Sequence, residues 1–201
     1  PDQEAVPSRQ FDISKIDFDL LSREFAHTRR KNLLLRDLDE LVNQQLAKML
    51  FANPQRIDYY DRYQEIIDAY NAEQNRATIE KTFMDLMELA SSLDTEQQRY
   101  VREGFSSDEE LSVYDLLFSE NLTKQEIETI KKVSVDLLTK IKQQIAKLDH
   151  WTDKQETKAI VDNLIRKTLW QELPNSYDVS DIQTYQKKIY EYVYMRYSEV
   201  A

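Results

Sequence analysis

The sequence predicts an all-α protein, a bundle of about seven or eight helices with no sheet. The 201 residues include one glycine and four prolines, whereas proteins on average contain about 7% glycine and 5% proline. Tight hairpins need residues with positive φ, which glycine supplies most easily. Apolar residues recur with a period near 3.6 along most of the chain, and the hydrophobic content of 41% is sufficient for a core. We therefore expect helices joined by short polar turns.

A single helical domain is expected over residues 14–201, preceded by a flexible leader over residues 1–13. The chain begins PDQEAV without an initiator methionine, and we interpret it as a fragment of a longer protein. No apolar run approaches the ~20 residues of a membrane span. The absence of cysteine excludes disulfides and zinc–thiolate sites. These features favour a cytoplasmic location without a membrane partner.

Turn residues divide the helical pattern. Periodicity runs from about residue 14 to 52 without a predicted interruption, and Asn53-Pro54 ends it, because proline disfavours helical geometry in the residue before it. One helix then starts at Pro54, and another is predicted over 76–93. Further breaks are expected near 104–106, near 120–122, near 150–152 and at 173–180.

Capping residues fix several helix ends. Gly104 is interpreted as a helix stop, because the residue after a helix often turns left-handed. Asp94 or Thr95 is expected to cap the short helix that Gly104 ends. Three sequence pairs predict capping boxes: Ser107 with Glu110, Thr123 with Glu126, and Thr152 with Gln155.

No motif predicts catalysis, cofactor binding or a metal site. One glycine cannot supply a P-loop or a dinucleotide-binding loop. Metal-dependent nucleases hold Mg²⁺ between strand-borne carboxylates near a lysine, and Asp149, Asp153, Glu156 and Lys158 are similar in type. They fall in a helical pattern, however, so a solvated helix face is the preferred interpretation. We expect no catalytic, cofactor-binding or metal-binding residue in this chain.

The net charge of −10 opposes binding to DNA. Residues 51–150 carry 12 basic and 20 acidic side chains, so repulsion of phosphate is strongest in the middle of the chain. The one basic cluster consists of Arg29, Arg30, Lys31 and Arg36. It is a candidate weak DNA patch, and a solvated helix face is the default alternative.

Tyrosines crowd the C-terminal end, and tyrosine is enriched at protein interfaces. Their positions wrap around the last helix, so some rings are expected outside the core. Tyr190 and Tyr194 share a face at i, i+4 and form the candidate partner surface. Tyr185 aligns with Ile189 and Val193 and is expected in the core. Ordinary core packing with exposed edges is the alternative for the whole group.

Several stretches together resemble the C-terminal helical domain of the restriction (motor) subunit of type I restriction-modification enzymes. They are LAKMLFANPQRIDYYDRYQEIIDAYN at 46–71, QQRYVREGFSSDEELSVYDLL at 97–117, LTKQEIETIKKVSVDLLTKIK at 122–142, and Trp151. The resemblance runs from about 20 to 197 in the same order and with similar spacing. Beyond about 174 the tyrosine-rich end matches less closely.

The resemblance implies a role that periodicity does not show. In that family the subunit carries an N-terminal nuclease domain, two motor domains that use ATP and Mg²⁺ to translocate DNA, and this helical region. The resemblance implies that the region docks onto the methyltransferase and specificity subunits, with no catalytic residue and no cofactor of its own. The family-motif residues carried over are structural: Asn53, Pro54, Arg56, Arg102, Glu103, Gly104 and Asp115.

Two other classes remain open at this point. A stand-alone helical adaptor or regulatory protein would follow the same folding logic. A helix-bundle enzyme, such as a nucleotide pyrophosphohydrolase, would need clustered Glu-x-x-Glu pairs that face inward, and none is clearly placed.

Overall fold

The computed structural model describes residues 16–73 and 75–198. The leader predicted over 1–13 lies outside the described residues. Within them the chain forms nine α-helices and no strand, and all but one of these helices have at least ten residues. The all-α fold is therefore confirmed.

The helices follow one another with short connections. Their bounds are α1 Phe18–His27, α2 Lys31–Ala52, α3 Ile57–Ala72, α4 Arg76–Gln97, α5 Arg99–Arg102, α6 Asp108–Leu117, α7 Lys124–Ile145, α8 Gln155–Glu172 and α9 Val179–Tyr197. A 3-10 turn over Pro54–Arg56 precedes α3. The breaks predicted at 104–106, 120–122 and 150–152 fall between helices. Those predicted at 52–54 and 173–180 also mark connections, but they overlap the last residue of α2 and the first two residues of α9.

The helices form two compact units. Unit 1 combines the described residues up to Leu50 with Arg56–Gln98, and unit 2 combines Phe51–Gln55 with the residues from Arg99 onward. The single domain expected over 14–201 stays a prediction, because compactness does not decide whether two units unfold together.

Unit 1 is built on α2, α3 and α4, and α1 packs on the same core. Phe25 of α1 stacks on Phe83 of α4, with ring centroids 3.7 Å apart. The amphipathic stripes of α2 and α4 supply most of the remaining core, in which Val42, Leu86 and Leu89 are fully buried. Burial of such side chains contributes about 1.5–3 kcal/mol each.

Unit 2 contains a four-helix arrangement, because α6 packs on α7, α7 on α8, α8 on α9 and α9 on α6. The buried stripe of α7 lies at its centre and includes Ile130, Leu137 and Ile141. The short helix α5 packs on α6. This bundle carries the tyrosine-rich C-terminal helix.

Two predicted helix starts are found, one of them with a complete capping box. The Thr123 hydroxyl accepts from the Glu126 amide, while the Glu126 carboxylate accepts from the Thr123 amide at 2.8 Å. Ser107 caps α6 and accepts from the Glu110 amide. The Glu110 carboxylate accepts from Ser106 at 2.7 Å, one residue before the predicted partner.

Three sequence-based expectations about helix ends are wrong. The pattern from 14 to 52 is interrupted at Thr28, whose extended backbone ends α1 and whose hydroxyl accepts from the Arg30 amide at 3.1 Å. A threonine side chain that bonds the local backbone competes with the helix.

The other two concern caps. Asp94 and Thr95 lie inside α4, which continues to Gln97 because Glu96 is buried beside Arg56. Thr152 does not cap α8. That helix begins after Lys154, whose side chain makes no capping bond.

Candidate partner-binding surface

A buried tryptophan organises the C-terminal part of unit 2. Trp151 lies between α7 and α8 and is fully buried. Its indole Nε1 donates to the backbone oxygen of Tyr197, at the end of α9, over 2.8 Å. The Thr157 hydroxyl donates to the Trp151 carbonyl oxygen over 2.7 Å. Trp151 therefore ties the α7–α8 connection to the end of the last helix.

Tyr190 and Tyr194, the two tyrosines predicted as a partner surface, both contact the ring of Trp151. The ring centroids of Tyr190 and Tyr194 lie 6.3 Å and 5.8 Å from the indole, each in an edge-to-face arrangement. The two tyrosine rings lie 6.3 Å from each other. Tyr194 is 39% exposed, whereas Tyr190 is partly buried and packs against the core. Only Tyr194 thus presents a large free ring surface.

A cation lies beside the exposed ring. Lys158 Nζ is 5.9 Å from the Tyr194 ring centroid, within the range of a cation–π interaction. Lys158 belongs to α8 and Tyr194 to α9, so the surface is formed by both helices. Burial raises the pKa of the Tyr190 phenol above its ordinary value.

Further apolar side chains are exposed on the same two helices, and the sequence analysis missed them. Trp170 is 51% exposed, Ile160 43% and Met195 67%. Ile160 and Trp170 are ten residues apart, which is about 80° around a helix, so both lie on the exposed side of α8 but not on one stripe. A helical wheel that took Val161, Ile165 and Leu169 as the core stripe would have placed Ile160 and Trp170 on the other side.

The remaining C-terminal tyrosines pack inside unit 2. The Tyr177 hydroxyl donates to the Leu117 carbonyl oxygen over 2.6 Å, and its ring meets the half-buried Tyr185 ring edge to face. Tyr192 and Tyr197 are buried. Burial raises the pKa of Tyr192 to about 12. Core packing therefore accounts for most of the tyrosine enrichment.

Two of the family-motif residues, Asn53 and Asp115, join parts of unit 2 that are 62 residues apart in the sequence. The Asn53 amide nitrogen donates to Asp115 Oδ2 over 2.6 Å, and Asn53 is fully buried. The Asn53 oxygen accepts from the Gln55 amide over 3.1 Å, which caps the turn that Pro54 opens. Asp115 also pairs with Arg99 of α5.

The Glu103-Gly104 motif closes α5. Gly104 has φ of +84°, and its amide donates to Val101 O over 3.1 Å while the Phe105 amide donates to Tyr100 O over 2.8 Å. This pair of bonds is a Schellman motif. Lys131 of α7 donates to the Glu103 carbonyl oxygen over 3.1 Å.

Arg56 and Arg102 differ in their surroundings. In unit 1, Arg56 Nε donates to Glu96 Oε1 over 3.0 Å, and both side chains are buried. The Arg102 side chain is exposed and forms no hydrogen bond or ion pair with the residues that the structure describes. The contacts therefore give a structural reason for Arg56 but not for Arg102.

A family model for the C-terminal region of type I restriction enzyme HindI endonuclease subunit-like proteins matches residues 4–198. The chain belongs to this family. Searches of curated proteins and of solved structures gave no match. The family match thus covers nearly the whole chain, including the tyrosine-rich end beyond residue 174.

In this type I restriction enzyme C-terminal region, the four basic residues of the candidate DNA patch do not share one helix. Arg29 and Arg30 lie between α1 and α2. Lys31 is 2.6 Å from Glu80 Oε1, and its Nζ lies 4.9 Å from the Phe25 ring centroid. Arg36 is 3.7 Å from Asp37 Oδ1. Neighbouring carboxylates thus offset part of the positive charge.

The nuclease-like set of this type I C-terminal region is spread over an exposed surface. Asp149, Asp153 and Glu156 are exposed, and Lys158 lies over Tyr194. Among residues 16–73 and 75–198, no three His, Asp or Glu side chains are grouped to hold a metal ion. In the same residues, none of the helices has the length and apolar character needed to cross a bilayer.

Proposed function

We propose that this chain is a non-catalytic assembly region, which docks a type I restriction subunit onto its methyltransferase–specificity core through α8 and α9. The observation that carries the proposal is the set of exposed aromatic and apolar side chains on these helices, with Tyr194 seated on buried Trp151. Tyrosine and tryptophan are the residue types that most often dominate binding energy at interfaces.

The position of Tyr194 supports its role as an anchor. Its ring is held by contacts with Trp151, Tyr190 and Lys158, so little side-chain freedom is lost when a partner covers it. Ordering a rotamer-rich side chain otherwise costs about 0.5–1.5 kcal/mol on association. Met195, the next residue along α9, would enlarge the apolar area around this anchor. Trp170 lies twelve residues along α8 from Lys158, about 18 Å, and would form a separate contact with the partner.

The remaining parts of the proposal come from the family. ATP and Mg²⁺ are needed by the motor domains of the parent subunit, and DNA contacts are made mainly by the parent rather than by this net-acidic region. A cytoplasmic bacterial or archaeal location follows from the same assignment. The Arg29–Arg36 cluster adds at most weak DNA binding.

The test is capture of a purified methyltransferase–specificity complex by the immobilised 201-residue chain. Tyr194→Ala and Trp170→Ala should each weaken capture by about 2 kcal/mol or more, which is close to a 30-fold change in Kd. Tyr60→Ala is the matched control, because Tyr60 of α3 is 37% exposed, nearly the same as Tyr194. Circular dichroism should show that every variant remains folded.

Two results would contradict the proposal. Unchanged capture by both variants would remove α8 and α9 from the interface. No capture by the wild-type chain would mean that docking requires the motor domains, and the chain would then act as an internal brace.

A further inference from the structure

A groove in unit 1 lies on different helices from the α8–α9 surface. It is formed by α1 and α2, has a volume of about 400 Å³, and is lined mainly by aliphatic side chains. These are Ile16, Leu20, Leu21, Leu34, Leu38 and Leu41. The volume falls at the lower end of the range of binding pockets, about 300–1,000 Å³.

The groove is apolar because aliphatic side chains from the start of α1 and from one face of α2 line it. Asp17 caps α1 by accepting from the Leu20 amide over 2.9 Å. Ile16 before this cap and Leu21 four positions into the helix are placed as in a hydrophobic staple, and both line the groove. Leu38 and Leu41 are buried, whereas Leu20 is 52% exposed. A large aliphatic side chain therefore stays half in water at the groove's edge.

The helical spacing of the lining residues fits a helix as the occupant. Leu34, Leu38 and Leu41 of α2 are spaced i, i+4, i+7, and the α1 residues follow a similar spacing. A third helix can place its own ridge between two such ridges. Amphipathic helices that bind in grooves use anchors with this repeat.

Charge complementarity selects the kind of helix. The lining includes the carboxylates of Asp17, Glu24 and Asp37 and no basic side chain among the described residues. Arg36 lies 3.7 Å from Asp37, but both side chains are largely exposed, and such pairs contribute little. Asp17 and Glu24 are seven residues apart, about 10 Å along a helix axis. Two basic residues one heptad apart on a bound helix would match this distance.

We propose that the α1–α2 groove binds a basic amphipathic helix, with leucine-like anchors in the groove and Lys or Arg side chains on the Asp17, Glu24 and Asp37 carboxylates. The site is independent of α8 and α9, so its outcome does not bear on the capture experiment above. Such a contact would add a second point of attachment for a partner that carries a helix of this type.

The direct test uses a synthetic 18-residue Leu/Lys amphipathic helical peptide and its Leu/Glu counterpart. The 201-residue chain should bind the Leu/Lys peptide with a Kd of about 10–100 μM, and the Leu/Glu peptide at least about tenfold more weakly. In two-dimensional NMR spectra of the labelled chain, the amide shifts that change should belong to the groove residues. Failure to bind the Leu/Lys peptide, or equal binding of both peptides, would overturn the proposal.

One substitution separates groove binding from general attraction to an acidic protein. Leu20→Glu adds negative charge, so attraction alone predicts tighter binding of the Leu/Lys peptide, whereas a lost apolar anchor predicts weaker binding. We expect a loss of at least about tenfold, because the apolar contact of Leu20 with the peptide is replaced by a carboxylate that must lose water to be covered. Leu33→Glu is the control, because Leu33 of α2 is 40% exposed and does not line the groove. Equal effects of the two variants would contradict the proposal.

A charge reversal gives a second readout if Leu20→Glu disturbs the fold. Glu24→Lys/Asp37→Lys should favour the Leu/Glu peptide over the Leu/Lys peptide. The same change in charge at Asp61 and Asp68, which are exposed on α3, should leave the original preference in place. Reversal by both double variants would show that net charge, not the groove, sets the preference.

Discussion

Asn53 donates a hydrogen bond to Asp115 across 62 residues of sequence, with 2.6 Å between Nδ2 and Oδ2. The amide is fully buried, and its oxygen is occupied by Gln55. A short segment between α2 and α3 is thereby held to α6. The Ser112 hydroxyl donates to Ala52 O over 2.9 Å and adds a second link.

Asn53→Ala should lower the free energy of unfolding by about 2 kcal/mol, because it leaves the Asp115 carboxylate with one donor fewer and removes a cap. Urea unfolding followed by circular dichroism measures the change. Asn175→Ala, at an exposed position, is the control and should change stability by less than about 0.5 kcal/mol. Similar stability of the two variants would contradict the importance of the Asn53 bond.

Gly104→Ala should cost about 1–2 kcal/mol, because an L-residue at φ of +84° is strained. No atom lies within 4 Å of the position that a Cβ would take, so the cost comes from the backbone alone. Gly104→Asn should cost less, since asparagine tolerates left-handed geometry. Equal destabilisation by Ala and Asn in thermal unfolding would contradict the role assigned to the left-handed backbone.

Trp151→Phe should destabilise the chain by about 2 kcal/mol or more, because it removes a buried hydrogen bond and leaves a cavity. The other tryptophan provides the comparison. Trp170→Phe, at a 51% exposed position, should change the urea midpoint little. Each variant leaves one tryptophan, so fluorescence reports on α8 in the first and on the α7–α8 connection in the second.

The pH dependence of stability should include a contribution from Glu109. Burial is the largest single influence and raises the pKa of this carboxyl, but the bond and charge of Lys142, with smaller contributions from Tyr197 and Arg196, together outweigh it and the pKa is lowered overall. A lowered folded-state pKa gives stability that is present above the unfolded value of about 4.3 and is lost as pH falls below it.

Lys142→Met should therefore cost about 0.5–1 kcal/mol at pH 7, a value reduced by solvent screening, and less at pH 3. Urea unfolding at several pH values between 7 and 3 tests this. Lys132→Met, at an exposed position on the same helix, should show no such convergence. A constant difference between wild type and Lys142→Met across this range would exclude the assigned role of Glu109.

Local signals in the sequence were sufficient to predict most of the helices and several of their ends. Glycine scarcity and the 3.6-residue period predicted the helices, and the Thr123–Glu126 box was found as expected because both of its bonds join residues three apart. The prediction of a helix cap at Asp94 or Thr95 was wrong for a physical reason. The buried Arg56–Glu96 pair extends α4, and it joins residues 40 apart, beyond the reach of any local pattern.

The candidate surface was predicted only in part. An i, i+4 spacing placed Tyr190 and Tyr194 together, but the lower exposure of Tyr190 depends on Trp151 and the core of unit 2. Exposed Trp170 was missed, although a helical wheel of α8 places it away from the buried stripe of that helix. The α1–α2 groove depends on the break at Thr28, which the apolar periodicity on both sides concealed.

The two-segment composition of unit 2 also has a consequence for synthesis on the ribosome. Phe51–Gln55 leaves the exit tunnel before Asp115, and at about 5–20 residues per second the separation of 62 residues between Asn53 and Asp115 corresponds to about 3–12 s. During that time the Asn53 Nδ2 group lacks its Asp115 partner, while the residues of unit 1 up to Gln98 are already available to pack. Nascent chains arrested before and after Asp115 should therefore differ in protease resistance around Asn53.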